Sequence, residues 1–303
     1  MDLANRPISQ AVESYKLFAR VEGRSARTLQ TYETACADFI GFMGDVPLKE
    51  VTEDNVRRWI AHKLDRGYAK TTINIRLRVL RSLFHFLFQE GHLPEHRLER
   101  VRQLRSSQQY PFYLGEQQVR ALLQTARSRS NSWVGKRNWA MILTFLDGML
   151  RLSELRDLDL DDVNLHSQSI HIRHGKGDKE RMVFMGRRLT RAMRDWLQVR
   201  DEVPGEQRVF ITQGQYSMDA RNIQRIIERL AIKSGLEGIR CSPHTLRHTG
   251  ATLFIRNGGD PFSLQRLLGH AHMETTLRYV HMAGAALREA HAKASPVDRL
   301  LSG

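Results

Sequence analysis

Cysteine is scarce in this sequence, and its scarcity excludes two common designs. Cys36 and Cys241 are the only two in 303 residues and form no CxxC pair. Neither a disulfide framework nor a zinc ribbon is indicated, and a reducing compartment is expected, cytoplasmic or nucleoid-associated. Long apolar runs are missing as well: no stretch approaches the roughly 20 residues of a membrane span. The opening MDLANRPISQ lacks the apolar core of a secretion signal. Acidic residues are outnumbered, 33 against 47 Lys and Arg, which leaves a formal charge of +14 and a pI near 10.3. Solubility alone rarely needs more than about 8 net charges in a small domain, so a polyanionic partner is expected, nucleic acid first. The excess divides unevenly, +3 over residues 1–100 and +11 over 101–303.

What is present reads as two domains, since the length suffices for two cores and the apolar and charged fractions, 41% and 26%, are those of a globular protein. Residues 8 to 90 show helical periodicity and almost no strand signal. Ala11, Val12, Tyr15, Leu17, Phe18 and Val21 mark one amphipathic segment, and Leu29, Tyr32, Cys36, Phe39, Ile40 and Phe42 a second. Ser25 and Thr28 stand at the cap and first turn of the second. A third segment follows Val51-Thr52-Glu53 and includes Val56, Trp59 and Ile60. In the fourth, KTTINIRLRVLRSLFHFLFQEG, Ile73, Leu77, Leu80, Leu83, Phe84 and Leu87 make a core face, while Lys70, Arg76, Arg78 and Arg81 crowd its first half. That half-helix reads equally as a phosphate-facing surface or as an ordinary solvated face. The pattern weakens over 92–112, whose later part reads as a basic, extended linker.

The second domain is mixed. Helical periods recur at 116–126, 136–147, 188–199, 219–234 and 243–257. Between them SIHIRHGKGDKERMVFM, residues 169–185, alternates as a β-hairpin, with Ile170, Ile172, Val183 and Met185 on its buried side. Ser242 caps the helix opened by Pro243, and Asn257-Gly258-Gly259 ends it.

On that last helix His244 and Arg247 share a face, with His248 one residue on. Metal, phosphate, core packing and solvent are the possible uses. HTLRH has the two-histidine spacing of zinc hydrolases but lacks their glutamate and sets an arginine beside the would-be cation, so no metal is expected. Phosphate fits better, because a guanidinium offers a planar fork of donors and the first helical turn adds a favourable dipole. His244, His270 after the Gly269 stop, and the Tyr279 hydroxyl can then surround one phosphate. A tyrosine among cations is a candidate nucleophile, and neighbouring positive charge is expected to favour its phenolate.

HTLRHTGATLF followed by LLGHAHMETTLRY resembles the C-terminal signature of the tyrosine recombinase (phage integrase) family: His-x-x-Arg, then Leu-Gly-His, then Tyr nine residues later. RLSEL at 151–155 resembles the family's first arginine box and GKGDKER at 175–181 its lysine hairpin. ARTLQTYETACADFIGFM at 26–43 resembles its core-binding domain. The resemblance implies a mainly α fold: a helical, SAM-like core-binding domain over 1–103, a linker at 104–112, and a mixed α/β catalytic domain with a small antiparallel sheet over 113–303.

It also implies an active set of Arg151, Lys176, His244, Arg247, His270 and Tyr279. Tyr279 attacks a DNA phosphodiester to give a 3′-phosphotyrosyl link, and two arginines neutralise the transition state where many nucleases use metal ions. Lys176 protonates the leaving 5′-oxygen, His244 accepts or donates a proton, and His270 binds the phosphate. No cofactor or ATP is implied. Expected DNA contacts are Arg24, Thr28, Lys70, Thr71, Asn74, Arg78, Arg81, Lys179 and Arg181. The implied partners are double-stranded DNA and three further copies of the chain on two duplexes, with a related recombinase or accessory protein as an option and no membrane.

Glu154 reads as an anchor for an arginine, and His248, His272 and His281 as packing or surface residues, His248 with the option of a DNA-backbone contact. About ten residues precede the core-binding domain, which fits the simple two-domain members, and the tail after Tyr279 is expected to dock on a neighbouring subunit, with folding back on its own domain as the alternative. A type IB topoisomerase and a noncatalytic DNA-binding regulator are the competing classes. One departure stands out: the family's Thr-Gly-Leu-Arg is replaced by FLDGMLR, with one extra residue between Gly148 and Arg151, so the local turn is expected to differ.

Overall fold

Six helices start at a side-chain cap in the computed structural model, which describes residues 5–106, 110–173, 180–200 and 202–283. Ser25 accepts from the Thr28 amide, Thr52 and Asn55 cap each other reciprocally, and Ser132, Asp219, Ser242 and Asp260 do the same work at later starts. Each cap satisfies an amide that the helix itself leaves without a partner. The chain separates into two units, Met1–Gln108 and Gln109–Gly303, each with its own core.

The first unit holds α1 (Ile8–Val21), α2 (Ala26–Met43), α3 (Glu53–Asp65) and α4 (Lys70–Gln89). Phe39 meets Trp59 edge-to-face at the centre, and the expected α4 residues Ile73, Leu77, Leu80, Leu83, Phe84 and Leu87 are all buried around them. On α1 the buried side runs through Ile8, Ala11, Val12, Tyr15 and Ala19. Leu17 and Val21, expected on the apolar face, are exposed instead, Val21 to 83%; two residues past a core position is about 200° around a helix. Asp38 on α2 pairs with Lys63 of α3 at 2.6 Å and with Arg76 of α4 at 2.8 Å. Arg76 is thereby withdrawn from the cationic half-helix. Beyond α4, Leu93, Leu98 and Val101 continue the core, and Asn74 holds the backbone of Leu104 at both ends, donating to its carbonyl at 2.9 Å and accepting from its amide at 2.8 Å.

The second unit runs α5 (Glu116–Ser128), α6 (Trp133–Leu146), α7 (Leu152–Arg156), β1 (Val163–Asn164), β2 (Ser169–Ile172), β3 (Arg181–Phe184), α8 (Arg187–Leu197), α9 (Ala220–Lys233), α10 (Pro243–Arg256), α11 (Pro261–Leu268) and α12 (Met273–Ala283). The sheet is antiparallel in the order β1-β2-β3, with Ile170 opposite Val183 and Ile172 opposite Arg181. Ile170, Ile172, Val183 and Met185 face the core as their alternation requires, while Met182 and Phe184 face out. The two-residue β1 adds a third strand to the expected hairpin. The protein is therefore mainly helical with a small antiparallel sheet. No helix among the described residues is long and apolar enough to cross a membrane.

The helix α6 runs through the middle of the larger core and packs on α5, α8 and α10. A separate apolar cluster, Met149, Ala251, Ile255, Leu264, Leu268, Tyr279 and Ala283, joins α10, α11 and α12. Gly250 sets the height of α10 against α6: a Cβ there would lie 2.0 Å from the Leu146 carbonyl oxygen. Two backbones can approach this closely only where no side chain intervenes. Arg247 and His248 precede Gly250 on the same helix, so their position follows from that contact. Gly250→Ala is expected to lower stability by about 1–3 kcal/mol through overpacking, read as a reduced urea midpoint with an unchanged m-value.

Candidate active site

A carboxylate buried among arginines is the origin of the site. Arg151 precedes the short α7, and Glu154, one turn in, reaches back to accept from the Arg151 amide at 2.7 Å and from its guanidinium at 2.6 Å. Arg181, the first residue of β3, donates to both Glu154 oxygens at 2.8 Å each, a bidentate pair. Arg247 of α10 brings a third guanidinium to within 3.6 Å of the same carboxylate. The Glu154 side chain is 1% exposed. Burial alone would raise its pKa, but the Arg181 hydrogen bond and charge, the Arg151 amide and the Arg247 charge more than reverse that and hold it at about 2.

The other side of the clamp is made of backbone. The last carbonyls of α11 lack helical partners, and three in succession accept from the three arginines: Leu267 from Arg181 at 2.8 Å, Leu268 from Arg247 at 2.8 Å and Gly269 from Arg151 at 3.4 Å. Gly269 is left-handed, with φ +63°, and a Cβ there would stand 3.1 Å from the Arg181 side chain. The Leu-Gly-His motif thus needs its glycine for both reasons. Arg181 gives all three of its nitrogens to these internal partners and its side chain is only 8% exposed, which corrects its assignment as a phosphate contact. Arg247 also donates to the Met149 carbonyl, and burial holds its pKa down at about 10. Arg151 is the most accessible of the three, with 21% of its side chain exposed.

The turn before Arg151 explains the departure from Thr-Gly-Leu-Arg. Counted back from Arg151, the glycine's place is taken by Met149, which adopts a left-handed φ of 51°. Its side chain is buried against α10 and α12, and its carbonyl receives Arg247. Packing and the arginine hydrogen bond together hold a conformation that costs a non-glycine residue roughly 1–2 kcal/mol.

His244 lies exposed in the first turn of α10. His270, directly after Gly269, bonds Thr276 Oγ1 through Nδ1 at 2.9 Å. Burial, then the charges of Arg247 and Arg151, holds His270 at about 4, so it is neutral near pH 7. Tyr279 on α12 is 3% exposed, its ring parallel to that of His270 at 6.3 Å. Its hydroxyl lies 2.7 Å from Nδ1 of His248. Burial raises the Tyr279 pKa, and the charges of Arg247, Arg278 and Arg151 only partly oppose that. The expected preference for phenolate is therefore wrong for the DNA-free protein: desolvation of the phenolate outweighs three cations.

His248 is the residue that motif reading missed. Relegated to packing or surface, it contacts the hydroxyl of the candidate nucleophile. The signal was available in the spacing, because His248 follows His244 by four residues and shares its helical stripe. His272 and His281 are exposed, as expected of them. Lys176 and Lys179 fall within 174–179, and the tail expected to dock in trans lies beyond residue 283; both lie outside the described residues.

Among the expected DNA contacts, Arg24, Lys70, Thr71 and Arg78 are exposed and Arg81 is partly so. Thr28 is partly buried, its hydroxyl 2.9 Å from that of Ser25. Asn74 does not belong with them: it is buried, and its amide is used on Leu104. Among the described residues no three His, Cys, Asp or Glu side chains gather in a way that would hold a metal ion.

Residues 113–285 match the phage integrase family, and residues 12–91 match the phage integrase N-terminal SAM-like domain. A tyrosine recombinase XerC from Corynebacterium glutamicum is 32% identical over 280 residues, covering 91% of this chain and 88% of its own. A second, from Pelobacter propionicus, is 31% identical over 305 residues, covering 97% and 98%. In fold, the chain is similar to the XerH site-specific recombinase bound to palindromic difH substrate, at 22% identity and a TM-score of 0.75 over 96% of this chain and 85% of that one.

The clamp generates a stability prediction. Glu154→Gln leaves three buried or half-buried guanidiniums without their carboxylate, and a loss of about 3–5 kcal/mol is expected in urea unfolding at neutral pH. Because the folded pKa lies near 2, below the ordinary 4.5, the carboxylate's contribution is complete above pH 4.5 and is lost as pH falls toward 2. Wild type should lose stability across that window by more than Glu154→Gln does.

Proposed function

The chain belongs to the phage integrase family and is a tyrosine recombinase of site-specific DNA recombination, and on that footing we propose that Tyr279 is its nucleophile, acting within a site formed by Arg151, Lys176, His244, Arg247 and His270. Tyr279 attacks a phosphodiester in line, leaving the 3′ end on the tyrosine and releasing a 5′-hydroxyl. The observation that carries the reading is that Tyr279 lies beside His248, whose Nδ1 is 2.7 Å from its hydroxyl, and His270, whose ring is parallel at 6.3 Å, under the charges of Arg247 and Arg151, with three guanidiniums sharing one carboxylate. Such a cluster has an uncompensated positive charge, which a phosphate anion would complete.

Arg151 and Arg247 bind the nonbridging oxygens and stabilise the five-coordinate transition state. Lys176 protonates the leaving oxygen, and His270 donates to the phosphate from Nε2 while Thr276 occupies Nδ1. The ester energy is kept in the phosphotyrosine, so a 5′-hydroxyl from another duplex can reseal it, and a Holliday junction forms without ATP.

The substrate is double-stranded DNA carrying a specific recombination site. Residues 1–103 form the core-binding domain, 104–112 the linker and 113–303 the catalytic domain. Arg24, Thr28, Lys70, Thr71, Arg78, Arg81 and Lys179 contact the DNA backbone. Four copies assemble on two duplexes, with residues after 283 as the exchange element and a second recombinase or accessory protein as a possible member. The relatives named XerC support a Xer-type resolution or mobile-element reaction.

Tyr279→Phe should abolish covalent protein–DNA adducts on genomic DNA while gel-shift affinity stays at the wild-type level; adducts that persist would sink the nucleophile assignment. Wild-type cleavage should continue in excess EDTA, and sequencing the trapped ends would identify the site.

A further inference from the structure

Attack by Tyr279 requires that its phenolic proton go somewhere, and the surroundings of the hydroxyl are restrictive. The residue is 3% exposed and its pKa is raised by burial, so neither bulk water nor spontaneous ionisation serves it at neutral pH. His270 lies with its ring parallel to the tyrosine and its Nδ1 engaged by Thr276. His244 sits one turn before His248, with ring centroids 6.4 Å apart, and is exposed. Among the described residues, His248 is the group in hydrogen-bond contact with the Tyr279 hydroxyl, Nδ1 to Oη at 2.7 Å.

We propose that His248 is a catalytic residue that accepts the Tyr279 proton during strand cleavage and returns it during religation. This rests on the reading of Tyr279 as nucleophile. In cleavage the Oη–P bond forms, the P–O5′ bond breaks, the phenolic proton passes to His248 Nδ1, and the 5′-oxygen takes a proton from Lys176. In religation the 5′-hydroxyl attacks, Oη leaves, His248 returns its proton to the phenolate, and the 5′-hydroxyl proton goes to the Lys176 amine. No proton is gained or lost over the cycle.

The electrostatics support the assignment. Burial, then the charges of His244 and Arg247 on α10, of Arg240 just before that helix and of Arg278 on α12, holds His248 at about 4 in the DNA-free protein. It is therefore neutral at pH 7 and has a free lone pair on Nδ1 when the proton is on Nε2. The same cations are the ones a bound phosphodiester would neutralise. Substrate binding then raises the basicity of His248 toward the useful range for a general base, so the acceptor becomes competent when there is something to cleave.

The test separates nucleophile from leaving group. A nicked suicide duplex, built on the site recovered by covalent trapping, is prepared with either oxygen or sulfur at the scissile 5′-bridging position. Sulfur leaves without a proton, so a defect on the leaving-group side is relieved and one on the tyrosine side is not. His248→Asn keeps a hydrogen-bond acceptor for Tyr279 but cannot hold the proton, and it should slow single-turnover cleavage of both substrates by about 10²-fold or more. Lys176→Ala should be slow on oxygen and restored by sulfur. A wild-type rate for His248→Asn, or its restoration by sulfur, overturns the proposal.

Thermal unfolding and gel shifts confirm that the variant is folded. A reading independent of any variant comes from nitrogen-15 histidine spectra of the wild-type protein, where His248 should carry its proton on Nε2; a proton on Nδ1 overturns the assignment. Tyr279→Phe runs in parallel. If its adducts persist, the nucleophile assignment fails; if they vanish while His248→Asn cleaves normally, only the role of His248 fails.

Discussion

Three guanidinium groups would not stay together without Glu154. Like charges a few ångströms apart repel by several kcal/mol even at an effective dielectric of about 20, and Arg247 is almost fully buried. The carboxylate converts that repulsion into a junction, tying α7 to the first residue of β3 and to the middle of α10. The α11 carbonyls close the junction from the opposite side. Four elements far apart in the chain are thus registered on one buried anion. Arg151 and Arg247, the first residue of β3 and the Leu-Gly-His turn take their places from it.

One negative charge against three positive ones leaves the junction unfinished, and the rest of the site is neutral by design of burial. His248 and His270 are held unprotonated near pH 7 by desolvation and nearby cations, and Tyr279 is held protonated by desolvation. The resting site therefore combines fixed positive charge with uncharged proton carriers. In the proposed reaction a phosphodiester would supply the missing anion and, by offsetting the arginine charges, would raise the basicity of His248 and His270; the same offset disfavours a free Tyr279 phenolate, so the phenolic proton needs an acceptor at the moment of attack.

Much of this was legible in the sequence because each motif sits on one element and spacing reveals a face. Ser242-Pro243 announces α10, the alternation of Ile170, Ile172 and Val183 announces a buried sheet face, and Arg247, His270 and Tyr279 stand out by type. What spacing cannot reveal is the partner a long side chain finds across the fold. Arg181 and Asn74 looked like DNA ligands and are used internally, on Glu154 and on Leu104. Arg76 is claimed by Asp38 in the same way. The ionisation of Tyr279 was misread because its cations are evident in the sequence and its burial is not. His248 was passed over because the motif ends one residue before it, while helical geometry aims it at α12.

The clamp on the α11 side is built from carbonyl groups, which every residue type carries alike. Replacement of Leu267 or Leu268 by another apolar residue would change the packing but not the groups that receive Arg181 and Arg247. Gly269 alone contributes something a mutation could remove. Part of the machinery that holds the clustered charges is therefore encoded in the path of the chain and not in its side chains, so apolar substitutions along this helix leave in place the groups that receive the arginines.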